Sequence, residues 1–114
     1  MFRQGDVLIV PIAADAVPAA TLAAGPLSRR PHEPMVLALG EATGHAHAVV
    51  AREDKGFLFP APSEAQPAFL HLPLGGKVVH EEHATIPLPE GWCRVVRQRE
   101  YEPGAVRSWR MVAD

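Results

Sequence analysis

Short apolar runs, each cut off by glycine or proline before a helix could make many turns, make up most of this chain. Val7-Leu8-Ile9-Val10-Pro11-Ile12 reads as a strand covered on both faces, and Pro11, with no N–H to give, ends its ladder. Met35 to Leu39 predicts a second strand, Gly40 to Gly44 a turn, and His45 to Ala51 a third strand. On that third strand His45, His47 and Val49 share one face while Ala46, Ala48 and Val50 share the other, because successive side chains alternate. Arg52 to Gly56 reads as a charged hairpin turn into Phe57-Leu58-Phe59, and Pro60 to Pro67 as a loop. Ala68 to Leu74 and Lys77 to His80 flank a Gly75-Gly76 break, and Ala84 to Leu88 follows. Pro89-Glu90-Gly91 then turns into a strand from Trp92 to Tyr101, and Glu102-Pro103-Gly104 into an edge strand from Val106 to Val112. Adjacent Val95 and Val96 break strict alternation, which requires either two covered faces or a bulge.

Ala13 to Pro34 departs from this pattern. It is rich in alanine and proline, with room for a short helix that Asp15 or Pro18 starts and Gly25 ends. Gly25 to Pro34, carrying Arg29, Arg30 and His32, then reads as a solvated loop. Twelve prolines and nine glycines spread over 114 residues reinforce the strand reading, because proline removes a backbone donor and breaks helix interiors. The expected fold is all-β: one domain over residues 1–114, a small barrel or sandwich of roughly seven to nine short strands with one Ala/Pro-rich loop or short helix.

Composition narrows the function classes. A net charge of −2 with 21% charged residues describes neither a polycationic nucleic-acid binder nor an acidic tail. The single cysteine, Cys93, permits no internal disulfide, and next to Trp92 it reads as a small buried residue or, if it faced the histidines, a metal thiolate. Met1-Phe2-Arg3-Gln4-Gly5-Asp6 lacks the order of a signal peptide, and no stretch approaches the roughly 20 apolar residues of a membrane helix. A cytoplasmic soluble protein is the default expectation.

Four of the six histidines fall in two short clusters, His45-Ala46-His47 and His80-Glu81-Glu82-His83. A strand His-x-His aims two imidazoles at one point, and imidazole is the common nitrogen ligand of Zn, Fe, Ni and Cu. His80 and His83 are three apart, so a flat strand would part them and pair His80 with Glu82 and His83 with Glu81; a bulge or turn at Glu81-Glu82 would instead bring both histidines to one side. The pattern fits a divalent transition-metal site (Zn, Fe, Ni or Mn) on His45, His47, His80 and His83, a metal-free polar pocket taking a small molecule, or histidines with only packing or surface roles. In an enzyme, Glu41, Glu81 or Glu82 would be the base beside such a metal. Thr43 lies with Glu41 at the turn before the pair.

Arg94, Arg97 and Arg99, with Arg107 and Arg110 beyond, make the last part of the chain locally basic. A binding module gripping nucleic acid or a protein partner through that strand is the alternative function, and a solvated strand paired with Glu100 and Glu102 is the simpler reading. Exposed strands pairing in a homo-oligomer are a third expectation.

Two resemblances rest on these motifs. Gln4-Gly5-Asp6-Val7, Gly40-Glu41-Ala42-Thr43-Gly44-His45-Ala46-His47, His80-Glu81-Glu82-His83 and Arg94-Val95-Val96-Arg97-Gln98-Arg99-Glu100-Tyr101 together resemble a family of small uncharacterised bacterial and phage proteins. Separately, Gly40 followed by His45-x-His47, Glu53 and Gly56 is similar to the first motif of cupins, small β-barrels that hold a metal with two His, a Glu and a later His. That resemblance implies a barrel with His45, His47 and Glu53 as ligands, and His80 or His83 as the late histidine.

Overall fold

The apolar runs do become strands, and their pairing sorts them into two antiparallel sheets. The computed structural model describes residues 1–39, 46–63 and 66–97. In chain order the strands are β1 (Phe2–Gln4), β2 (Val7–Ile12), β3 (Met35–Leu39), β4 (Ala46–Ala51), β5 (Phe57–Phe59), β6 (Ala68–Leu72), β7 (Gly76–Val79), β8 (Ile86–Leu88) and β9 (Gly91–Arg97). One sheet runs β1-β2-β9-β6-β5 and the other β3-β4-β7-β8. The two pack face to face as a sandwich, and among the described residues the sheets do not close, so the barrel form of the expectation gives way to the sandwich form.

Alternation decides what lies between the sheets. Val7 and Ile9 of β2, Val49 of β4, Leu70 and Leu72 of β6, Val78 of β7 and Cys93 and Val95 of β9 all point inward and are almost wholly buried. The expectation that β2 is covered on both faces is corrected: Leu8 and Val10 are half-buried and Pro11 is exposed. Adjacent Val95 and Val96 need no bulge, since β9 pairs with β2 in unbroken register from Val7↔Arg97 to Ile12↔Trp92. Val95 enters the core and Val96 lies half-buried on the opposite face. A register shift occurs instead in β3, between Val36 and Ala38.

One short helix, α1 (Ala19–Ala24), follows Pro18 and ends at Gly25, whose φ of 81° closes it as the sequence predicts. A 3-10 turn before it (Ala14–Ala16) leads to Val17, which packs with Phe59 and Phe69 on the outer face of the larger sheet. Arg52 to Gly56 is not a hairpin. β4 pairs with β3 and β7, while β5 pairs with β6 in the opposite sheet, so this segment carries the chain across the sandwich. β6 to β7 crosses back, and Gly76 allows the close β4–β7 approach: a Cβ there would lie 2.6 Å from the Val50 carbonyl oxygen. The expected strand over Val106 to Val112 lies outside the described residues, as do Glu41, His45 and Arg99.

Candidate functional site

At one end of the sandwich four separate pieces of chain meet: the β1–β2 turn, the start of β4, the bend after β7 and the end of β9. Gln4 and Val7 pair across the two-residue turn Gly5-Asp6. Gly5 has a φ of 61°, the left-handed conformation that such turns assign to glycine. That turn presents Asp6 outward beside β9, where Asp6 Oδ2 lies 3.4 Å from Arg97 Nε.

His47 comes from β4 on the same face as Val49, as alternation predicts, and is 4% exposed. The strand β7 ends at Val79, and a bend through residues 81–83 brings His80 and His83 back against it. The ring centroids of His47 and His80 are 4.3 Å apart, those of His47 and His83 5.8 Å, and those of His80 and His83 4.6 Å. The turn at Glu81-Glu82 therefore does what a flat strand could not, and puts both downstream histidines on one side.

Hydrogen bonding fixes the chemistry of the His47 ring. Gln4 is 2% exposed, and its Nε2 donates to the carbonyls of Ala84 at 2.8 Å and Val78 at 3.3 Å. Only the NH2 of an amide can face two carbonyl oxygens, so Gln4 Oε1 is the atom 3.0 Å from His47 Nδ1. An amide oxygen only accepts, so Nδ1 carries the proton and donates. In the neutral ring His47 Nε2 is then a bare lone pair, and it lies 3.5 Å from Asp6 Oδ1. Burial holds the His47 pKa below the usual imidazole value; the charge on His80 lowers it further, and Asp6 opposes. His80 is arranged differently, since its Nδ1 accepts the Glu82 backbone N–H at 3.0 Å.

The space these groups surround is the one that Gly5 leaves by lacking a side chain. A Cβ on Gly5 would lie 3.0 Å from His47 Cε1, 3.3 Å from His47 Nε2 and 3.1 Å from His83 Nε2. Two imidazole Nε2 atoms thus converge on one point. The donor types suit a divalent transition metal. Their spacing does not yet enclose one: among the described residues no group of three His, Cys, Asp or Glu stands ready to hold a metal ion.

Other predicted residues fall elsewhere. Glu81 and Glu82 are exposed on the bend. Glu53 sits in the 3-10 turn Arg52–Asp54, beyond the far end of β4. His47 and Ala51 alone are separated by about 13 Å of strand rise, so the cupin-derived ligand set of His47 with Glu53 is not assembled. Cys93 packs in the core, and burial raises its thiol pKa, which disfavours a thiolate. Arg94 and Arg97 are three apart on a regular strand and point to opposite faces, so they do not form one basic row. Arg97 instead joins the histidine corner through Asp6. Gln4 and Asp6 are the residues that the sequence reading missed; a glutamine beside a Gly-Asp turn, entering an apolar strand, was the available signal.

A family model described as a domain of unknown function (DUF8820) matches residues 3–98. No curated protein and no solved structure matches the chain.

Proposed function

We propose a function for a chain that belongs to the DUF8820 family, a domain of unknown function, so the reading rests on the chemistry of its own residues: the histidine corner binds a divalent transition-metal ion. One observation carries this. The Nε2 atoms of His47 and His83 converge on the gap at Gly5, and the His47 nitrogen is a lone pair facing a carboxylate. Two acceptors at 3.5 Å repel one another unless a proton or a cation stands between them. Burial works against the protonated ring while Asp6 works for it, and a bound cation would satisfy both acceptors at once.

In this reading His47 and His83 supply two nitrogens, and Asp6, His80 and His45 are the candidates for the remaining positions. His80 would first have to release the Glu82 N–H. Asp6 is held by Arg97 through Oδ2, which leaves Oδ1 toward His47. A bound ion with an open position would supply a Lewis acid or an activated water. The bend beside the corner carries Glu81 and Glu82, both exposed.

The test is elemental analysis and zinc titration calorimetry on protein purified without chelator, beside the His47→Ala/His83→Ala variant. Near-stoichiometric metal in the parent and none in a folded variant is the expected result. A parent that takes up no Zn, Fe, Ni or Mn after loading would overturn the reading.

A further inference from the structure

We infer that Gln4 is the positioning residue of this corner: one buried amide sets which nitrogen of His47 is bare and moors the bend that carries His80 and His83. The inference rests on the metal reading for its purpose, but not for its geometry. Gln4 is one of the two buried polar side chains among the described residues, and the other is its partner His47. Each of its three hydrogen bonds crosses to another part of the fold.

The logic runs in one direction, from backbone to ring. The carbonyl of Val78 belongs to β7, and that of Ala84 follows the bend. Because both are acceptors, they orient the amide, and the oriented amide decides the His47 tautomer. The same two bonds clamp the chain on either side of residues 80–83 to β1. Ring chemistry and bend position are therefore tied to one side chain, which turns Nε2 toward the gap at Gly5 while His83 is held across it. A hydrophobic residue of similar volume, such as methionine, would keep the packing and lose both functions. Partners that orient a ligating histidine typically change metal affinity by about 10- to 100-fold when removed.

The experiment uses the full chain, free of metal, with 15N-labelled histidine. Long-range 1H–15N correlation spectra report which ring nitrogen carries the proton. The expected result is a neutral His47 protonated at Nδ1 in the parent, and a mixed or reversed tautomer in Gln4→Met. Zinc affinity of Gln4→Met should fall about 10- to 100-fold, and amide exchange over residues 80–84 should speed up. A parent whose neutral His47 carries its proton on Nε2, or a folded Gln4→Met with an unchanged tautomer, would overturn the inference. Failure of the metal reading would show separately, as a parent with the expected tautomer and no zinc binding.

Discussion

Opposite ends of the sandwich each gather polar side chains, and they finish the task differently. At the end away from the histidines, Arg29 donates to Asp54 Oδ1 at 2.6 Å, to the carbonyls of Asp54 and Glu33 at 3.0 Å, and to that of Gly56 at 3.3 Å. Asp54 Oδ2 accepts the His32 backbone N–H at 2.9 Å. His32, Glu53 and Asp54 adopt positive φ there, a backbone strain that this bonding holds in place. Both terminal nitrogens of Arg29 meet two acceptors each in that knot. At the histidine end, a ring nitrogen lone pair faces a carboxylate oxygen instead. A cluster that satisfies itself is structural; one that presents acceptors to one another is incomplete without a cation or proton. Composition alone does not separate the two, because both contain a basic residue, an aspartate and a histidine.

The largest contrast should come from exchanging losses. His47→Ala/His83→Ala is expected to abolish zinc binding in calorimetry and keep the fold by circular dichroism, whereas Arg29→Ala lowers the melting temperature and leaves zinc affinity unchanged. If both variants lost metal equally, the distinction between the ends would fail. Gly5→Ala should come next. Its left-handed φ costs a side chain about 1–3 kcal/mol, and its methyl would crowd both converging nitrogens, so denaturant unfolding and zinc affinity should weaken together.

A subtler separation is by pH in the metal-free chain. His47 has its pKa depressed by burial, so the stability tied to its neutral form is lost as pH falls below the ordinary imidazole value of about 6.5. Asp54 has its pKa depressed chiefly by the Arg29 hydrogen bond, so its contribution persists above the ordinary carboxylate value of about 3.9 and is lost as pH falls through the depressed one. Thermal unfolding against pH should therefore decline in two stages, with His47→Ala removing the upper and Arg29→Ala the lower. The smallest effect is expected from Glu81→Gln/Glu82→Gln, exposed on the bend: zinc affinity within about twofold of the parent, on the ordinary scale for exposed charges.

Local pattern carried the strand positions because alternation and turn residues act over a few neighbours. It put His47 on one face with Val49, offered Pro18 beside Asp15 as the start of α1 and Gly25 as its end, and allowed for the bend that regroups His80 and His83. Pairing was less legible. Arg52 to Gly56 has the composition of a hairpin turn, yet the partner of β5 lies in another sheet, and nothing within the turn encodes that. Glu53, a ligand only by the cupin resemblance, is carried away from His47 along β4. Gln4 and Asp6 were hidden because their roles depend on carbonyls and rings more than forty residues away, as the Gln4–His47 bond shows.

The central place of β9 in its sheet sets the order of assembly during synthesis. It lies between β2 and β6, so the N-terminal hairpin has no further strand partner in its own sheet until residues 91–97 have been made. Such distant pairing must meet its loop-closure entropy before contacts offset it, which slows folding and leaves strand edges open in the nascent chain. The bond from Asp6 to Arg97 forms at that same closing step. The histidine corner is thus completed only when its sheet is, and a ribosome-bound chain stalled before β9 would expose the apolar side of β2 as a target for chaperones.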